Sequence, residues 1–294
     1  MERTPRLFLI QIIFRYLGIP LLRNPPSSVS RYSEIPNPEI SLPEISFSRN
    51  PEITKKKYYS SSMLKAFLFD MDGVLFDSMP KHAEAWYQVM GEHYGFACDR
   101  TFFYLCEGAT GQQVIDDFFV EQRGRHAEPW EIEMIYKEKS QAFVQMGQAE
   151  PMPGAADVLR KVGEKGLIRV LVTGSGQPSL LSKLNFVYPN VFDPSRMVSA
   201  KDCPIGHGKP MPDPYLMGLR KAGDLKPSEA IVVENAPLGV QAGHAAGIFT
   251  VAVNTGPLEP KVLRDAGANI VLSGMSELAD RFDEILALHQ KIVR

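Results

Sequence analysis

Asp70 and Asp72 stand two residues apart where the apolar run Phe67-Leu68-Phe69 gives way to a glycine at position 73. Two carboxylates this close repel each other when both are ionised, so the pair calls for a cation, a shared proton, or both. Magnesium fits, because this hard ion takes carboxylate and carbonyl oxygens together with a substrate phosphate. Lys65 to Phe69 is short, apolar and bounded by a turn signal, which predicts a buried strand of a parallel sheet. In an open α/β sheet, ligands bind at the carboxyl ends of the strands, where both aspartates fall. Taken alone, an Asp-Gly turn followed by a helix capped at Asp77 or Ser78 accounts for the same residues.

Three further segments change that balance. Leu167 to Val172 predicts a second strand, ending in Thr173-Gly174-Ser175-Gly176, a hydroxyl followed by small residues whose amides can face an anion. Lys209 sits between Gly208 and Pro210, in a proline-stiffened turn. Ala230 to Val233 predicts a third strand, followed by Glu234-Asn235. Singly these read as a cap, a solvated lysine and a turn. In this order, from about Met63 to the C-terminus, they resemble the haloacid dehalogenase superfamily of phosphotransferases.

The resemblance implies roles residue by residue. Asp70 is expected to be the nucleophile that forms an aspartyl-phosphate. Asp72 is expected to protonate the leaving oxygen, to activate the acceptor later, and to offer its main-chain carbonyl to the metal. Thr173 and the amide of Gly174 are expected to hold phosphoryl oxygens, with Lys209 offsetting the charge of Asp70 and the transferring group. The expected metal set is Asp70, Asp72 and the Glu234-Asn235 pair. Many relatives carry a second acid where this chain has Asn235, which removes one negative charge and leaves open which member of the pair touches the ion. Dehalogenases and phosphonate-cleaving relatives lack an acid at the place of Asp72, so phosphate-ester chemistry remains.

Within the superfamily, the chain is similar to the β-phosphoglucomutase-like branch. His82 and Trp86 fall where that branch places a cap-hinge histidine and a tryptophan, and Lys139 is the closer match to a phosphate-contacting cap lysine. A surface histidine, a core tryptophan and a solvated Lys137-Glu138-Lys139 run are the ordinary alternatives. The mutase pattern expects an arginine where this chain has Gly111, and arginine is the side chain best shaped to hold a second phosphate. Hydrolysis of a small phosphorylated metabolite, most simply a sugar phosphate, is therefore the first expectation. A hexose phosphate mutase is the second, and a catalytically quiet binding module of the same fold is the third.

These residues need a scaffold. The chain has 294 residues, 44% hydrophobic and 22% charged, with a formal net charge of −2 that gives no reason to expect nucleic-acid binding. Cys98, Cys106 and Cys203 are too few and too widely spaced for a disulfide framework, which makes reducing cytoplasm the simplest compartment. Residues 1–62 differ in kind: they repeat Pro-Glu-Ile at Pro38, Pro43 and Pro51 and are expected to be a disordered extension, with Met63 as the functional start. Leu7 to Leu22 is apolar but short for a membrane span and interrupted by Arg15, so no membrane association is expected, a signal peptide or anchor being the lesser alternative.

The remainder predicts an α/β fold, a doubly wound parallel sheet from residues 63–80 and 151–294, with a helical cap inserted at 81–150. Cap helices are expected over Lys81–Tyr94, Gln112–Arg123 and Glu131–Met146, with Phe102-Phe103-Tyr104 in the cap interior. Core helices are expected over Gly154–Gly163, Pro212–Ala222, Gly239–Ala246 and Met275–His289, and Met211, Met217 and Met275 as packing residues. A monomer is compatible with the sequence, which leaves the oligomeric state open.

Overall fold

The computed structural model describes residues 63–293 apart from 176, 177 and 205. The expectations for residues 1–62 lie outside the described residues. Strand β1 (Ala66–Phe69) is buried along its whole length. Phe67 and Phe69 enter one apolar cluster while Ala66 and Leu68 enter another, so the strand needs no polar face.

A tight loop leads through β2 (Phe76–Asp77) into α1 (Met79–Trp86), which widens into a π-helical segment at Tyr87–His93. Then come α2 (Arg100–Leu105), α3 (Gly111–Arg123) and α4 (Pro129–Gln145). Thr110 caps α3 by accepting from Gln113 N at 3.2 Å, and Gly124 ends it in the left-handed region at φ 69°. These helices close on their own aromatic core: Trp86 stacks on Phe103 at 6.1 Å, and Phe102 meets Phe118 edge-on at 5.0 Å. Truncating Phe118 to Ala would cost about 3–5 kcal/mol. The chain returns through β3 (Glu150–Pro151), antiparallel to β2, so the two crossings between helical block and sheet lie side by side.

The second half alternates α5 (Ala155–Glu164), β4 (Ile168–Val172), α6 (Pro178–Val187), β5 (Met197–Val198), α7 (Asp213–Lys221) and β6 (Ala230–Glu234). It ends with α8 (Pro237–Ala245), β7 (Phe249–Val253), α9 (Pro260–Asp265), β8 (Ile270–Leu272), α10 (Met275–Asp280) and α11 (Phe282–Ile292). The six-stranded sheet runs β5-β4-β1-β6-β7-β8 with every pairing parallel. Successive strands move outward from β1 in one direction through β4 and β5, then in the other through β6 to β8. The winding therefore reverses beside the carboxyl end of β1, where Asp70 and Asp72 emerge. Helix α7 lies close over β1, since a Cβ on Gly218 would come within 2.9 Å of Leu68 Cδ2.

Phe102 and Phe103 are buried in the cap interior, as expected, on a helix of their own, α2, whose Asp99 cap accepts from Phe102 N at 2.9 Å. Two other expectations need correction. Met275–His289 is two helices meeting at Arg281, whose guanidinium binds Glu277 at 2.7 Å and Glu284 at 2.6 Å. Met211 is 46% exposed instead of packed, while Met217 and Met275 do join the core. Strands β5, β7 and β8 add to the three read from sequence. Among the described residues all three cysteines are free and no helix is long and apolar enough to cross a membrane.

Candidate active site

Asp70 leaves β1 with its amide bonded to Val233 O at 3.0 Å, so the parallel pairing with β6 carries straight into the site. The turn after it depends on Gly73, at φ 77°, where a Cβ would fall 2.1 Å from Asn235 Nδ2. Lys209 reaches in from the loop before α7, is 2% exposed, and has three acceptors. Its Nζ donates to Asp70 Oδ1 at 2.5 Å, Glu234 Oε1 at 2.6 Å and Val172 O at 3.1 Å. This uses the full donor capacity of an ammonium. Burial disfavours the charge on Lys209, but Asp70 and Glu234 outweigh it and keep it protonated. One ammonium stands against two carboxylates, so burial still leaves Asp70 above its ordinary range, with Glu234 and Asp72 adding to the effect.

Glu234 and Asn235 differ sharply. Glu234 Oε1 also accepts from Tyr215 Oη at 2.7 Å, and Oε2 accepts from the amides of Asn235 at 3.0 Å and Ala236 at 3.3 Å. Both carboxylate oxygens are engaged. Asn235 Oδ1 is buried with no hydrogen-bond partner. An orphaned acceptor of this kind beside two carboxylates fits a hard cation. Among the described residues no three His, Cys, Asp or Glu side chains converge as a metal cluster. A site built from one carboxylate, a main-chain carbonyl and an amide oxygen is not of that type, and it suits an ion that keeps several waters.

Asp72 forms the start of a second network. Its Oδ1 accepts from Ser78 Oγ at 2.5 Å and lies 3.2 Å from His82 Nε2. Ser78 stands at the N-terminus of α1 yet makes no cap bond, its hydroxyl being turned to Asp72. Burial raises Asp72, but His82, Ser78 and Lys139 outweigh it and hold the carboxyl below its ordinary value. Lys139 Nζ is 2.7 Å from His82 Nδ1. An ammonium can only donate, so Nδ1 accepts and the ring proton sits on Nε2, facing Asp72. Burial pulls Lys139 down to about 8, against Glu107 and Asp72, which pull it upward. The solvated-face alternative for Lys139 is therefore corrected: it is 3% exposed, with its ammonium 5.0 Å from the Trp86 ring. His82 is buried and stacked on Phe143 at 4.2 Å, not a surface residue, and Trp86 is core.

Thr173 is buried at the end of β4 and accepts from Ser175 N at 2.9 Å. Gly174 approaches the cap so closely that a Cβ on it would lie 2.8 Å from Gly108 O. The sequence-predicted residues thus gather in two linked groups, Asp70 with Lys209, Glu234 and Asn235, and Asp72 with His82 and Lys139, with Thr173 and Gly174 at the neighbouring strand end. Sequence reasoning missed three participants: Ser78, which reads as a helix cap; Tyr215, whose partner is distant in sequence; and Glu107. Burial drives Glu107 well above the carboxylate range, and the charges of Asp72 and Asp70 add to this against Lys139 and Lys209. No local pattern marks Glu107, because its role depends on how the cap docks.

Two cavities adjoin the site. One of about 40 Å³ is lined by Asp72, His82, Glu107, Lys139 and Ser175 among others. The other, of about 1050 Å³, is lined by Thr173 and Lys209 from the sheet and by Gln113, Asp116 and Glu133 from the cap. Together the groups bring a buried carboxylate beside a fixed ammonium, a second carboxylate paired with a histidine, and a hydroxyl and amides at a strand end, a combination suited to phosphoryl transfer.

Residues 64–247 match the family model described as haloacid dehalogenase-like hydrolase. The chain belongs to that family. Over 198 residues this hydrolase is 31% identical to hexitol phosphatase A of Escherichia coli, covering 67% of this chain and 87% of the relative. Over 188 residues it is 29% identical to the E. coli fructose-1-phosphate phosphatase YqaB, covering 63% and 94%. A solved structure of a putative beta-phosphoglucomutase from Bacteroides vulgatus superposes with a TM-score of 0.74 at 49% identity, covering 79% of this chain and 93% of that one. The hydrolase is thus an enzyme whose relatives include phosphatases of phosphorylated carbohydrates and β-phosphoglucomutase-like proteins.

Proposed function

We propose that this hydrolase is a magnesium-dependent phosphatase of a small phosphorylated metabolite, a sugar or polyol phosphate, working through an aspartyl-phosphate. Asp70 attacks phosphorus while Lys209, held between Asp70 and Glu234, stays charged and offsets the negative charge of Asp70 and the transferring group. The Thr173 hydroxyl and Gly174 amide bind those oxygens. An incoming phosphate dianion raises Asp72 toward its protonated form, and Asp72 then gives that proton to the leaving oxygen. As the resulting carboxylate, steadied by Ser78 and His82, it next takes a proton from the water that attacks the phosphoenzyme. Asp70, the Asp72 main-chain carbonyl and Asn235 Oδ1 would hold the ion. Magnesium, when bound, supplies charge compensation between Asp70 and the phosphoryl group.

The observation that carries hydrolysis over mutase chemistry is at Gly111. A Cβ there would lie 2.2 Å from Tyr136 Cε2, so an aromatic ring fills the space into which a phosphate-holding arginine would have to grow. The mutase reading is supported by the 49% identity to the putative beta-phosphoglucomutase of Bacteroides vulgatus. A quiet binding module is disfavoured by the intact Asp70, Asp72, Thr173 and Lys209 set. Phosphate release from a panel of sugar and polyol phosphates, with magnesium and with EDTA, tests the proposal beside bisphosphate-primed isomerisation of β-glucose 1-phosphate. Magnesium-dependent release without isomerisation is expected. Isomerisation faster than release would replace hydrolysis by the mutase reading.

A further inference from the structure

We infer that Tyr136 and Gly111 form a neck between the two cavities that admits only slender leaving groups, and so selects phosphates on primary carbons. This rests on the phosphatase reading above. Four residues line both cavities: Gly108, Gly111, Tyr136 and Gly174. Three are glycines, two of them with no room for a side chain and the third, Gly108, closely approached. A Cβ on Gly174 would be 2.8 Å from Gly108 O, one on Gly108 3.3 Å from Lys209 Cδ, and one on Gly111 2.2 Å from the Tyr136 ring. Tyr136 is the one member of the junction with a side chain, and its ring leans on Trp86 at 6.4 Å.

The chemistry fixes which way the ester must lie. Asp72, which serves the leaving oxygen, lines the small cavity and not the large one, whereas Thr173, which holds the phosphoryl group, and Lys209, which offsets its charge, line the large one. The leaving oxygen and the atoms next to it therefore sit in about 40 Å³. A single water needs about 10–15 Å³, so this space takes a few heavy atoms and not a sugar ring. The rest of a larger alcohol must pass back between Gly111 and Tyr136 into the wide cavity, where Gln113, Asp116 and Glu133 offer partners for hydroxyls. A CH2 group threads such a neck. A branched secondary carbon puts a second substituent against the ring.

The two glycerol monophosphates test this, since they share composition and charge and differ only in branching at the ester carbon. The full chain is expected to favour glycerol 3-phosphate over glycerol 2-phosphate by about 10-fold or more in kcat/KM, the scale of one misplaced carbon in a tight pocket. Tyr136→Ala is expected to bring the ratio to within about 3-fold by gaining on the 2-phosphate, while Tyr136→Phe, which keeps the ring, retains the parent ratio. The ratio is internal to each variant, so a general loss of folded enzyme does not move it. Equal rates in the parent, or an unchanged ratio in Tyr136→Ala, would overturn the neck and leave the phosphatase reading standing. Absence of Asp70-dependent hydrolysis of both isomers and of acetyl phosphate would remove the phosphatase reading itself, and the neck with it.

Discussion

Lys209 Nζ lies 2.5 Å from Asp70 Oδ1 although 139 positions separate the two residues. The sheet accounts for this: Asp70 emerges from central β1, and the loop carrying Lys209 precedes α7, which packs over β1 through Gly218. The ammonium is shared with Glu234, so a single cation holds two buried acids and ties two strand ends together.

Removing that cation should be costly in two ways. Lys209→Met leaves Asp70 and Glu234 buried without their counter-charge, and breaking such a cluster costs about 3–5 kcal/mol. At about 2–4 °C per kcal/mol for a chain of this size, the melting temperature should fall by roughly 10 °C. Activity should fall by about 10²-fold or more. The pH dependence has a definite sign. A carboxyl held above its ordinary value, as Asp70 is, stabilises the fold below its unfolded pKa, and that stability is lost as pH rises through the folded value. Without Lys209 the shift grows, and because the parent carboxyl titrates at about 8, the gap in melting temperature between parent and variant should widen as pH rises from about 7.5 to about 9.5. A gap that narrows over this range would contradict the assignment.

Asp70→Asn should abolish turnover and leave the fold intact, since the amide keeps the size of the side chain but cannot form an acyl phosphate. Rapid-quench labelling should place phosphate on Asp70 in the parent only. Label recovered on a histidine or serine would rule out the mechanism.

Asp72→Ala should slow alkyl phosphates far more than aryl phosphates, whose leaving oxygen needs little protonation; general acid catalysis contributes about 10²–10⁴-fold. The comparison of the two substrate types in one variant is the measurement. Equal losses for both would exclude the acid role.

What was legible in the sequence and what was not divides along physical lines. Asp70, Asp72, Thr173, Glu234 and Asn235 could be found because each directly follows a short apolar strand, a signal contained within a few residues. Lys209 could be found from its fixed place between Gly208 and Pro210. Lys139 could be placed on a helix but not in the interior, because a Lys-Glu-Lys run is locally a solvated face. Its burial comes from His82 and Trp86, which arrive on α1, joined by Phe143 one turn along its own helix. Glu107 and the Gly111–Tyr136 contact were invisible for the same reason, since they exist only once the cap helices pack and meet the sheet. The break at Arg281 is likewise unmarked in the sequence, and its guanidinium pairs with Glu277 on one side and Glu284 on the other.

The unequal roles of Glu234 and Asn235 lead to a prediction about the ion. Glu234 has its oxygens engaged by Lys209, Tyr215 and two amides, whereas Asn235 Oδ1 has no partner, so the direct ligand should be Asn235. Asn235→Asp adds a negative charge next to a divalent ion, where the surroundings screen it less than water does. Magnesium affinity, read by calorimetric titration as well as from the concentration for half-maximal activity, should rise by about 10-fold, the equivalent of about 1.4 kcal/mol. Glu234→Gln should change direct binding least and act through the loss of a partner for Lys209. If Asn235→Asp leaves the titration unchanged while Glu234→Gln abolishes it, the two residues have exchanged roles and the ligand assignment fails.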